Sequence, residues 1–99
     1  IRAEAVKFLM PEKAVNLLND EVFVVRKAAL ERVLKAGKKE VACHAAETLI
    51  DAERSDTLSI LLRSSEPAFD HLQKGLLHGG WPLRKAFIAL DAVFQSGKQ

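Results

Sequence analysis

Glu40, Cys43, His44 and Glu47 are spaced i, i+3, i+4 and i+7, which sets four side chains of zinc-ligating type along one side of a helix. A closed metal site needs donors from a second element, and the other histidines are His71 and His78. On a helix, residues seven apart stand ~10.5 Å apart along the axis, too far to chelate one ion together. Cys43 then reads as a small core residue and His44 as a surface residue. Nucleophilic catalysis fares no better. Cys43 and His44 are neighbours whose side chains diverge by about 100° on a helix, and no serine lies in a strand-turn-helix elbow. Gly79-Gly80 lacks the G-x-G-x-x-G or Lys-Ser/Thr context of a phosphate loop and reads as a helix break. The expectation is a noncatalytic chain without metal or cofactor.

Charge offers a better candidate. Between Arg26 and Lys39 stand six basic residues (Arg26, Lys27, Arg32, Lys35, Lys38, Lys39) and one acid, Glu31. The acids Glu40, Glu47, Asp51, Glu53 and Asp56 follow, with Arg54 their only basic neighbour. Lys27, Arg32, Lys35, Lys38 and Lys39 form a basic face that could steer an acidic protein partner or track a phosphate backbone. The net charge of only +2 and the absence of Tyr weigh against nucleic acid. The plainer reading is a solvated helix face, with Glu31 making i, i+4 pairs to Lys27 and Lys35. Trp81, between Gly-Gly and Pro82, is either a staple under the last helix or an anchor at a protein interface.

These residues need helices to position them. Apolar residues recur with helical period, and no segment alternates as a strand would. Ile1, Ala5, Phe8 and Leu9 form a stripe that stops before Pro11, and a short helix from Pro11 to about Leu18 follows. Asp20 is expected to cap a helix from Glu21 to about Ala36, closed by Gly37. Further helices are expected from about Lys39 to Ala52, from Ser55 or Asp56 through Leu62, from Ser65-Glu66-Pro67 through Leu77, and from Pro82 to about Gln95. The last is apolar on nearly all sides and is either buried or waiting for something to bury it.

On a wheel, Arg26 falls within the apolar sector of Val22, Val25, Ala29 and Val33, where a guanidinium needs an acceptor. Asp20 is the nearest candidate; the alternative is that Arg26 snorkels to water.

A length of 99 residues, 48% of them hydrophobic, gives one folded domain over 1–99. The single cysteine rules out an intrachain disulfide, and no apolar run reaches the ~18 residues of a membrane span. A cytoplasmic location without membrane contact is expected. Because the chain opens on Ile1 inside an amphipathic stripe, it is expected to be a fragment of a longer chain or to have a trimmed start, and the apolar last helix is expected to be covered by the next repeat, by a second copy through self-association, or by another protein.

A phrase recurs in this sequence. Val25-Arg26-Lys27-Ala28 leads a helix to Gly37-Lys38, Leu83-Arg84-Lys85-Ala86 leads another to Gly97-Lys98, and Ile1-Arg2-Ala3-Glu4-Ala5 opens the chain. With Pro11, Leu17-Leu18 and Asp20, the segment from Ile1 to Leu30 resembles the HEAT-like repeats and the leucine-rich repeat variant, and Arg2 and Arg26 stand 24 residues apart. The phrase returns around Pro67, Leu76-Leu77 and Leu83-Arg84, while residues 38–64 lack it and His78 stands where the first copy has Asp20. The resemblance implies a short α-solenoid of six to seven helices, an Asp20–Arg26 ladder between units, and a scaffold that binds a protein partner.

Overall fold

A computed structural model describes residues 8–97; the opening phrase from Ile1 to Ala5, with it Ile1 and Ala5 of the first apolar stripe, and Lys98 lie outside the described residues. Met10 is extended (ψ 143°) because the ring of Pro11 disfavours a helical conformation before it, and Pro11 then opens α1, Pro11–Ala14. This single turn tightens into a 3₁₀ turn, Val15–Leu17. The expected helix to Leu18 is thus short and mixed, with its apolar residues Ala14, Val15 and Leu18 fully buried. α2 spans Phe23–Ala36 and ends on Gly37 in the left-handed region (φ 64°), where the absence of a Cβ removes the steric penalty.

α2 begins later than Asp20 predicts. Asp20 Oδ1 accepts the backbone N–H of Val22 at 2.8 Å, and Val22 itself is the extended residue before the helix. The carboxylate therefore closes a local turn two residues long instead of capping the helix.

α3 spans Lys39–Asp51 and α4 spans Ser55–Ser64. Between them Arg54 N–H reaches the Leu49 carbonyl and Glu53 N–H that of Ile50, both at 3.0 Å. This paired closure needs a left-handed residue, and Glu53 supplies it at φ 58° without being glycine. Ser65 alone separates α4 from α5, Glu66–His78. It is extended, and its hydroxyl accepts the Ala68 N–H at 3.4 Å as an N-cap, with Pro67 in the first turn. The last helix, α6, spans Leu83–Ser96 and stops at Gly97.

No strand occurs among the described residues, so the all-α expectation holds there. α4 packs most extensively on α6 and also touches α2, α3 and α5, while α3 packs chiefly on α5. Leu58, Leu61 and Leu62 of α4, Leu49 of α3, Leu72 of α5 and Val33 of α2 are fully buried at these contacts. Ala29, Ala45, Ala46, Ala89 and Ala92 are likewise inaccessible, and such small residues let helix axes approach closely. The radius of gyration is 12.6 Å, close to the ~13 Å of a compact domain this long.

Candidate functional site

Behind α6 lies a polar cluster built from three helices. The Glu47 carboxylate on α3 accepts His71 Nε2 of α5 at 2.8 Å and Lys85 Nζ of α6 at 2.7 Å, one partner on each oxygen. Lys85 Nζ also sits 4.4 Å from the centre of the Trp81 ring, which lies 6.4 Å from the His71 ring. Burial alone would raise the Glu47 pKa. The hydrogen bonds from Lys85 and His71, with the charges behind them, outweigh burial and hold the carboxyl below its ordinary range. The ionised Glu47 thus fastens α5 and α6 to α3 and fixes the rotation of α6.

The four residues with zinc-type spacing are not brought together. Glu47 turns to His71 and Lys85, whereas Glu40 and His44 are exposed. Cys43 points its Sγ at the Pro67 carbonyl at 3.9 Å, and burial raises its thiol pKa. Among the described residues no three His, Cys, Asp or Glu side chains converge on a point.

Of the basic face, Lys27, Lys35 and Lys39 are exposed. Arg32 is turned inward: its Nε donates to the Leu9 carbonyl at 2.9 Å, tying α2 to the segment before α1. Lys38 Nζ lies 3.8 Å from the Glu12 carboxylate across an exposed gap. The five candidates therefore do not form one continuous surface of free cations.

Arg26 and Asp20 meet in a form other than the carboxylate ladder. Arg26 Nη1 donates to the main-chain carbonyls of Asp20 at 2.8 Å and Glu21 at 3.0 Å, with the guanidinium carbon 5.5 Å from the Phe23 ring centre. The Asp20 carboxylate is taken by Val22, and Arg26 Nε is buried without a hydrogen-bond partner. Arg26 so pins the loop that leads into its own helix.

Trp81 is half-buried on α5. A Cβ added at Gly75 would meet its ring within 2.1 Å of Cζ2, so the indole lies flush on the Gly75 backbone. Its large surface is spent on the fold's own α5–α6 corner.

The exposed apolar surface is elsewhere. Leu83, Phe87, Leu90 and Phe94 are 71%, 60%, 51% and 83% accessible, and their spacing of four, three and four residues puts them on one stripe of α6. The opposite side of α6 is buried through Ala89, Ala92 and Ser96. Composition flagged α6 as unusually apolar, but not which face stays open. The signal was present in the 4-3-4 spacing of the large residues, set against small ones on the other side. A smaller apolar region joins Phe23 and Ile60 around a groove of about 260 Å³ that Arg26, Leu30 and Leu34 also line. Among the described residues no helix is long and apolar enough to cross a membrane, so these faces are not parts of such a span. Comparison of the chain with protein-family models, with curated proteins and with solved structures finds no match, and the surface is read from its own geometry.

Proposed function

We propose that this chain is a noncatalytic protein-interaction module, a short stack of helices that binds a protein chain through the outer face of α6. The observation carrying this reading is the stripe Leu83, Phe87, Leu90 and Phe94, large side chains left in water on a helix whose other side is fastened by Ala89, Ala92 and Lys85. Burying side chains of this size contributes about 1.5–3 kcal/mol each when complete. Partial exposure and the cost of association reduce the sum to the range of reversible, micromolar binding. The stacked-repeat architecture is supported by contacts of α2 with α4 and α4 with α6 in one row, alternating with α3 on α5 in another.

The basic face supports a steering role more than a nucleic-acid interface. Lys27, Lys35 and Lys39 are free to attract an acidic partner, while Arg32 serves a backbone carbonyl and Lys38 faces Glu12. A photo-crosslinking residue placed at Phe94, with Lys35 as the control position, tests the reading in cells. A discrete protein adduct from position 94 that Phe87→Asp abolishes is the expected result. No adduct from 94, or an adduct to nucleic acid from 35 alone, overturns it.

A further inference from the structure

We infer that the occupant of the α6 stripe is a second copy of this chain, packed antiparallel across a twofold axis near residues 88 and 89. The inference rests on the docking face proposed above and adds who docks there. Leu83, Phe87, Leu90 and Phe94 follow the alternating four- and three-residue spacing of a two-helix seam. Along one edge of that stripe run Arg84 and Asp91, both exposed and seven residues apart; the other edge carries Ala86 and Val93. In an antiparallel pair like edges meet, so Arg84 of each copy faces Asp91 of the other, giving two equivalent ion pairs. Parallel pairing would set these charges against Ala86 and Val93 and leave them without complements. The charge pattern is therefore complementary to itself under a twofold and under no parallel arrangement.

Both groups are available. Arg84 uses Nη2 on Glu53 and keeps its other donors, and Asp91 accepts Gln95 Nε2 at 2.9 Å on Oδ2 and keeps Oδ1. The exposed parts of the four stripe residues amount to on the order of 500 Å² per copy. Complete burial of these parts on both copies, together with the flanking Arg84, Asp91 and Gln95, would reach the ~1,200 Å² total of a small reversible dimer.

Sedimentation equilibrium over about 1–500 µM tests this, since that range brackets the dissociation constant such an area supports. The wild-type chain should show a monomer–dimer equilibrium. Arg84→Asp and Asp91→Arg should each weaken it about three- to tenfold, and the double variant should recover to near wild type. Loss of the Glu53 contact is common to Arg84→Asp and the double variant, so it cancels in that comparison. Phe87→Asp should be monomeric with unchanged helical circular dichroism. A wild-type monomer throughout the range, or a double variant no tighter than the singles, overturns the homotypic pair. A monomer that still gives an adduct with a different protein from position 94 removes the second copy and keeps the docking face; no adduct removes both.

Discussion

Replacing Gly75 with alanine should destabilise this protein, against the ordinary rule for an α-helix. Gly75 lies inside α5, where Gly→Ala normally gains about 1 kcal/mol. Here the new Cβ would stand 2.1, 2.3 and 2.5 Å from Cζ2, Cη2 and Cε2 of Trp81. Carbon pairs rest at about 3.5–4.0 Å, so the ring must retreat by roughly 1.5 Å. It cannot do so freely, because it lies beneath the Lys85 ammonium at 4.4 Å, and Lys85 is held by Glu47 at 2.7 Å. Overpacking of this size costs about 1–3 kcal/mol, and the middle of that range, about 2 kcal/mol, outweighs the ~1 kcal/mol helical gain of alanine. The net expectation is a loss of roughly 1 kcal/mol, or about 4–8 °C in the unfolding midpoint of a domain this long. Trp81→Ala removes the obstacle, so Gly75→Ala in that background should stabilise by up to about 1 kcal/mol. The assay is thermal and urea unfolding of the four-member cycle, with a coupling of about 2 kcal/mol expected. Additive effects, or a Gly75→Ala variant more stable than wild type, would refute the placement of the indole on Gly75.

The polar cluster predicts a pH effect. Because the folded-state pKa of Glu47 is lowered, its contribution is present above the unfolded carboxyl pKa and is lost as pH falls through the folded one. Wild type should therefore exceed Glu47→Gln in urea stability at pH 7, with the gap closing in acid; a gap that stays constant to acid pH would contradict the ion-pair geometry. Arg26→Met should cost about 1–2 kcal/mol by releasing the carbonyls of Asp20 and Glu21, whereas Asp20→Asn, which keeps an oxygen for Val22 N–H, should change stability by less than about 0.5 kcal/mol. A large loss in Asp20→Asn measured by urea unfolding would restore the carboxylate ladder. Glu53→Gly should stabilise slightly, since the left-handed residue costs about 1 kcal/mol without glycine and the exposed Arg84 contact opposes little of that; a lower unfolding midpoint would show otherwise. Leu61→Ala, at the fully buried centre of α4, should cost about 2–5 kcal/mol in chemical denaturation, and a loss under 1 kcal/mol would displace α4 from the core.

Much of the helical layout was legible because its signals are local. Pro11, Gly37 and Ser65-Glu66-Pro67 act on their own backbone within one turn, and helices start or stop at each of them. Asp20 misled because a short acceptor can serve either a helix or a tighter turn, and the extended Val22 decides for the turn. The Glu47 partnership was only half visible. Its types suggested ligation and His71 was named as a second-element donor, yet Lys85, thirty-eight residues away, takes the other oxygen. No local rule selects such a partner. Arg32 likewise looked like surface charge and instead serves Leu9, a contact across twenty-three residues.

The sequence by itself determined the all-helical character, the ends set by Pro11, Gly37 and Ser65-Glu66-Pro67, and the apolar character of α6, because propensity, capping and periodicity are properties of neighbouring residues. Only the tertiary structure decided which side of α6 is covered. Burial alone would favour covering the side with the larger residues, yet it is the small-residue side that packs inward. Ala89 and Ala92 let the axis of α6 come close to α4, and Lys85 locks that rotation through Glu47, so the larger Leu83, Phe87, Leu90 and Phe94 are carried to the outside.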